Sequence, residues 1–128
     1  MTMFGLFKRQ EAATPDQMNT LYDLARNHYN LTNETHEVLL DFMPQPTKHY
    51  NVGKKAMAPN PPVDPWEHME DMTDVVCHQS ASANVIKDLN TCLKTGQSLE
   101  KERCLLDIEY ITRSSKEIEN IKKKWEAR

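Results

Sequence analysis

The sequence has little from which to build a large core and no stretch that would cross a membrane. Of its 128 residues, 38% are apolar and 7% are aromatic. It contains no run of about eighteen apolar residues, which is the length that a spanning helix needs. Because a small domain buries only part of its surface, we expect this chain to rely on cross-links or partners. The net charge of −3 and the pI near 5.9 give no reason to expect a nucleic-acid partner.

Motifs of catalysis and of metal binding are also missing from the sequence. We find no Gly-rich phosphate loop, no nucleophile motif and no zinc-binding spacing among the five histidines. Cys77 and His78 are adjacent, so on a helix their side chains would point about 100° apart. The absence of a Cys-Cys pair argues against a copper chaperone. We therefore expect a non-catalytic protein without cofactor or metal.

Helix signals recur along the chain, and no strand pattern is present. Thr14-Pro15-Asp16-Gln17 is typical of a capped helix start, and Asp64-Pro65 repeats the same logic. Thr32 or Asn33 is expected to begin a further short helix, Gly96 to end a long one, and Ser98 to cap the last. Apolar residues at helical spacing predict two buried stripes in the second half of the chain. The first comprises Trp66, Met69, Thr73, Val76 and Cys77 and, after an interruption at Ser80 and Ser82, Val85, Ile86, Leu89, Cys92 and Leu93. The second comprises Cys104, Ile108, Ile111, Ser115, Ile118 and Trp125.

These signals divide the chain into four parts. Residues 1–13 are expected to form a tail, 14–43 a helical docking segment, 44–64 an extended Pro-rich linker and 65–128 a helical hairpin with a long final helix. Six of the seven prolines lie in residues 44–65, so we expect this segment to run along another protein. The apolar stripes of residues 14–43 are narrow, and such helices are marginal in water without a partner surface. We expect them also to pack on another protein.

The segment CLKTGQSLEKERC holds two cysteines, Cys92 and Cys104, on either side of Gly96. If the chain reverses near Gly96, the two residues lie at similar heights in an antiparallel helix pair. A disulfide there would contribute roughly 3 kcal/mol; the alternative is two buried free thiols. A disulfide implies an oxidising compartment. The N-terminus MTMFGLFKRQ lacks a secretory pattern, so the mitochondrial intermembrane space is the expected location.

Ser82 precedes Cys92, and Ser114 follows Cys104, each by the same interval. This frame resembles the twin Cys-x9-Cys, coiled-coil-helix–coiled-coil-helix (CHCH) family with its outer cysteine pair replaced by serine. The spacing of Cys92 and Cys104 with Gly-Gln between them, and the approach NPPVDPWEHMEDM, resemble the PDSW-type accessory subunits of mitochondrial complex I. The resemblance covers about residues 60–125. Residues 14–59 do not align with that family. Its animal members have a second cysteine pair upstream, whereas this chain has only Cys77 there and cannot form that second bridge.

The resemblance implies an all-α, disulfide-pinned, CHCH-like hairpin preceded by N-terminal helices. It also implies a structural subunit of complex I, peripheral to the inner membrane on its intermembrane-space side. Its partners would be other subunits of that large respiratory complex, and it would not form a homo-oligomer. Two alternatives remain: a free intermembrane-space assembly or transport factor, and an accessory subunit of another complex such as cytochrome oxidase or ATP synthase.

Overall fold

The computed structural model describes residues 11–43 and 63–128, and this part of the chain is all-α, as predicted. Helix α1 spans Pro15–Leu40, α2 spans Pro65–Thr95 and α3 spans Lys101–Glu126. The described residues form no strand. They contain one isolated antiparallel bridge, between Ala12 and Glu100. The three helices are longer than average, and the capping residues at their ends explain where each helix begins and stops.

Three of the predicted helix boundaries are confirmed. Thr14 accepts a hydrogen bond from the backbone N–H of Gln17, whose side chain accepts from the Thr14 N–H. Asp64 caps α2 by accepting from the Trp66 N–H at 2.9 Å. Gly96 ends α2 with φ +73°, a left-handed conformation that glycine adopts without steric cost. The predicted cap at Ser98 is wrong, since α3 begins after Glu100.

The predicted helix start at Thr32 or Asn33 is also wrong, because α1 continues through both residues. The Thr32 hydroxyl donates to the Tyr29 carbonyl at 2.7 Å, and that of Thr35 donates to the Leu31 carbonyl at 2.8 Å. A hydroxyl that bonds back to the preceding turn is satisfied within a helix and does not have to cap a new one. The helix ends only near Asp41, ahead of Pro44.

Helix α1 packs against both α2 and α3, and these two approach each other less closely than either approaches α1. It runs parallel to α3 and antiparallel to α2. Its start is held beside the turn between α2 and α3, where the Ala13 N–H donates to the Leu99 carbonyl and the Lys101 N–H to the Glu11 carbonyl, both at 2.8 Å. Residues 14–43, expected to be a docking segment for another protein, thus pack against the rest of their own chain. The predicted linker lies outside the described residues, apart from its last two positions.

The core consists of two apolar clusters with a polar layer between them. The first, near the turn between α2 and α3, is built from Ala13, Leu21, Leu89, Leu99, Cys104 and Ile111. The second, at the other end of the bundle, is built from Leu39, Phe42, Val75, Ile118 and Trp125. Between these levels the buried side chains other than Ala25 are polar, namely His28, Thr32, Thr35, Ser82 and Ser114.

The predicted inward face in the first half of α2 is instead turned outward. Val75 is fully buried, whereas Trp66 is 69% exposed, Met69 50% and Val76 44%. The buried Val75 and the exposed Trp66, Met69 and Val76 lie on different sides of the helix, so this half of α2 has apolar residues on two sides. The sequence pattern alone does not say which side α1 and α3 cover.

Candidate functional site

The structure does not support the predicted disulfide between Cys92 and Cys104, since Cys77, Cys92 and Cys104 are all free thiols. Cys104 is buried in the first apolar cluster, and Cys92 packs against that cluster. The Cys104 Sγ lies 3.6 Å from the Gln17 carbonyl oxygen of α1. Because α1 packs against both helices of the predicted hairpin, their stripes meet α1 rather than only each other. The alternative of free thiols on apolar faces agrees with this arrangement.

Cys92 lines a cleft of about 520 Å³ between the start of α1 and the end of α2. Its apolar walls come from Pro15, Met18, Tyr22, Leu89 and Leu93, and the turn closes one end with Gly96. Cys104 lies behind this surface, where burial, and secondarily Asp107, raise the pKa of its thiol. Cys77 is exposed on α2. The three thiols therefore differ in access to reagents.

This difference predicts the order of alkylation in the native protein. We expect a maleimide to modify Cys77 first and Cys92 second. Cys104 should react at least roughly a hundredfold more slowly than Cys77, because reagents reach it only when the bundle opens. Mass-spectrometric peptide mapping against time measures all three rates, with the urea-unfolded chain as the control. Recovery of a Cys92–Cys104 linked peptide from native protein would contradict the free-thiol arrangement.

The two serines at the predicted outer positions, Ser82 and Ser114, are both buried in the polar layer. They are not bonded to each other. Ser82 donates to the Gln79 carbonyl of its own helix at 3.0 Å. Ser114 instead joins the three helices, because its hydroxyl lies 2.7 Å from His28 Nε2 of α1 and is hydrogen bonded to His78 Nδ1 of α2.

The hydrogen-bond chain through Ser114 fixes the proton positions of both histidines when they are neutral. His78 Nε2 faces the Glu117 carboxylate at 3.5 Å, so we assign the ring proton to that nitrogen. His78 Nδ1 then accepts from the Ser114 hydroxyl, which accepts in turn from His28 Nε2–H. His28 Nδ1 is left as a bare acceptor, in agreement with its having no hydrogen-bond partner.

The remaining nitrogen makes His28 hard to protonate. A proton on Nδ1 would create a buried N–H without an acceptor and a charge without water. Burial, and secondarily the neighbouring His78, lower the pKa of His28 to about 4. His28 is therefore neutral across the physiological range, and it links the three helices in that form.

The order Ser114–His78–Glu117 has the connectivity of a nucleophile, a base and an orienting acid. Its surroundings do not suit acyl transfer. Ser114 is 2% exposed, so a substrate carbonyl has no access to its oxygen. It also lies in the middle of α3, where backbone N–H groups are used within the helix and none is available to stabilise an oxyanion. We interpret this chain of hydrogen bonds through Ser114 as a structural link between the helices.

A second junction lies at the other end of the bundle, around Trp125. The indole Nε1 donates to Asp71 of α2 at 2.7 Å, and the ring meets Phe42 edge-on at 5.1 Å. Lys124 pairs with Asp71 at 2.6 Å, and Lys122 with Glu34 of α1 at 2.8 Å. The lysine run at residues 122–124 thus supplies three ion pairs between helices, the third joining Lys124 to Glu67 at 3.1 Å.

Within residues 11–43 and 63–128, no group of three or more His, Cys, Asp or Glu side chains is arranged to hold a metal ion. No helix in this part of the chain has the length and apolar character required to span a bilayer. Comparisons with protein-family models, with curated proteins and with solved structures give no match.

Proposed function

We propose that the protein is a non-catalytic accessory subunit of mitochondrial respiratory complex I, bound peripherally on the intermembrane-space side of the membrane arm. There it would stabilise assembly through contacts with neighbouring subunits. The resemblance of residues 60–125 to PDSW-type subunits motivates this assignment. The free thiols remove the disulfide as an argument for an oxidising compartment, so the proposal no longer draws on it.

The observation that carries the proposal is the exposed apolar surface of α2. A Trp that is 69% exposed, followed on the same side by Met69 and Val76, is unusual for a monomer and typical of a binding surface. These side chains lie on a helix that already packs into the core on its other side, through Val75 and Met72. A protein that binds neighbours without catalysing a reaction needs such a second apolar face.

The packing of α1 against α2 and α3 favours a second candidate function. A bundle whose N-terminal helix is covered by its own chain does not depend on a permanent partner for a core. This is the property expected of a free assembly or transport factor of the same compartment. An accessory subunit of cytochrome oxidase or ATP synthase stays a further alternative within the first class.

Native gels of digitonin-solubilised mitochondria separate these functions. If the protein is a complex I subunit, nearly all of it should migrate with that complex, and its abundance should decline when the membrane arm is not assembled. A free factor should be found mainly at low mass. Localisation outside the mitochondrion, or migration with a different complex, would contradict the proposed assignment.

A further inference from the structure

The exposed apolar side chains at one end of the bundle form a surface that we call the outer face, made of Leu40, Met43, Trp66, Met69 and Val76. Each is between 37% and 69% exposed. Trp66, Met69 and Val76 follow the i, i+3, i+10 spacing of a single helix side. Val75, which is buried in the core, lies on a different side of the helix.

Two hydrogen bonds bring the end of α1 level with the start of α2. His68 Nε2 lies 2.7 Å from the Leu39 carbonyl oxygen, and the Gln79 amide donates to Asn33. Because the helices are antiparallel, Leu40 and Met43 are level with the first turns of α2. The outer face therefore combines residues of two helices at one end of the molecule.

In the two ranges that contain the outer face, residues 27–43 and 63–86, the charged residues are all acidic. Neither residues 27–43 nor residues 63–86 contain a lysine or arginine. Acidic residues in these ranges that lie near α3 are already paired: Glu34 with Lys122, and Asp71 with Lys124. Glu67, next to Trp66, pairs with both Lys124 and Arg128. Apart from the helix cap Asp64, four others are exposed and form no ion pair with any described residue, namely Glu37, Asp41, Glu70 and Asp74.

We propose that the outer face binds a basic amphipathic helix of a partner protein. An apolar stripe on the partner would cover Trp66 and the methionines, which are suited to such contacts because Trp anchors interfaces and Met adapts its shape. Lysines or arginines flanking that stripe would pair with the unpaired carboxylates. The inference rests on the proposal that this protein binds neighbouring subunits, and it adds what kind of segment it binds.

Charge also decides against two other occupants of the outer face. An anionic membrane surface would be repelled by the exposed carboxylates. A second copy of this chain would place the same acidic rim against itself across a two-fold axis, because such an interface uses the same patch on both subunits. A basic helix meets both the apolar and the acidic requirements.

The test uses the isolated full chain and two synthetic peptides of about 18 residues, five helical turns. Both carry the same leucine stripe; one has lysines on its polar side and the other has glutamates. Acrylamide quenching reports binding directly, since Trp66 is exposed and Trp125 is buried. The lysine peptide should shield Trp66, and it should bind about tenfold more tightly than the glutamate peptide. Raising the salt concentration should reduce that ratio.

Matched variants distinguish peptide binding at the outer face from nonspecific hydrophobic binding elsewhere on the protein. Met69→Ser with Val76→Ser should weaken lysine-peptide binding about tenfold or more, whereas Leu106→Ser, an exposed leucine on α3, should leave it unchanged. Glu70→Lys with Asp74→Lys should remove the preference for the lysine peptide. Melting curves establish that each variant is folded.

Three outcomes would overturn the inference. They are equal binding of both peptides, binding that is insensitive to the serine substitutions, and concentration-dependent dimerisation that itself shields Trp66. The native-gel experiment tests the complex I assignment, and its outcome is independent of the peptide-binding results. A chain that migrates outside complex I yet binds the lysine peptide refutes the proposed complex but not the outer face. A chain that stays in complex I after the serine substitutions refutes the outer face alone.

Discussion

Replacing Trp125 by alanine should destabilise the protein by about 3–5 kcal/mol, the usual range for removing a large buried aromatic side chain. Trp125 is 1% exposed and meets the end of α1, the start of α2 and its own helix end at one point. Its loss removes the contact with Phe42 and leaves Asp71 without the indole donor. Urea unfolding followed by far-UV circular dichroism measures the change.

A second substitution at the same position separates packing from hydrogen bonding. Trp125→Phe keeps an aromatic ring beside Phe42 but cannot donate to Asp71, so we expect it to cost less than the alanine change. Trp66→Ala is the matched surface control, because its ring is exposed, and it should change stability by less than about 0.5 kcal/mol. A loss below 1 kcal/mol in Trp125→Ala would show that the three helix ends do not meet through this residue.

Acidification from pH 6.5 to pH 4 should destabilise the protein through His28 by up to about 3 kcal/mol. Burial lowers the pKa of His28 from 6.5 to about 4. The unfolded chain therefore takes up this proton first, and the stability that His28 contributes is complete above pH 6.5. It declines as the pH falls and levels off below about 4. The groups that face the ring are Ser114 and His78, with Glu117 beyond them.

His28→Gln tests the assignment because glutamine cannot take up that proton. The difference in unfolding free energy between the wild type and His28→Gln should shrink as the pH falls from 7 to 4. His36→Gln, in the same helix but outside the core, is the matched control variant. An NMR titration of the wild type provides a direct measure. A pKa of His28 near 6.5 would show that the ring is reached by water.

Local chemistry made several elements predictable from the sequence. The reciprocal bonds of Thr14 and Gln17, the cap at Asp64 and the left-handed Gly96 depend on residues within one turn. The apolar positions of α3 were also identified correctly, since Ile111, Ile118 and Trp125 are buried. Each of these predictions depends only on residues that are close to one another in the sequence.

The errors concern choices that depend on what packs against a helix. The outward side of α2 carries Trp66 and Met69, which look more like core residues than Ser82 does. Ser82 is buried nevertheless, because the polar layer of α1 and α3 lies at its level. His28 was not singled out, although it continues the stripe of Leu21, Ala25, Thr32 and Leu39. A histidine on an otherwise apolar stripe was the available signal for a buried polar layer.

The position of α1 has a consequence for how quickly the bundle assembles. Helices α2 and α3 are joined by a short turn, so the few contacts that they make with each other can form locally and early. The contacts of α1 with α3 join residues that are distant in the chain, as in Ala13 with Leu99 or His28 with Ser114, 86 positions apart. Closing loops of this length delays the search for the native arrangement, because proteins rich in distant contacts fold more slowly. Helix α1 is thus expected to dock last, and until then both apolar stripes of the α2–α3 pair are open to chaperones or to misassociation.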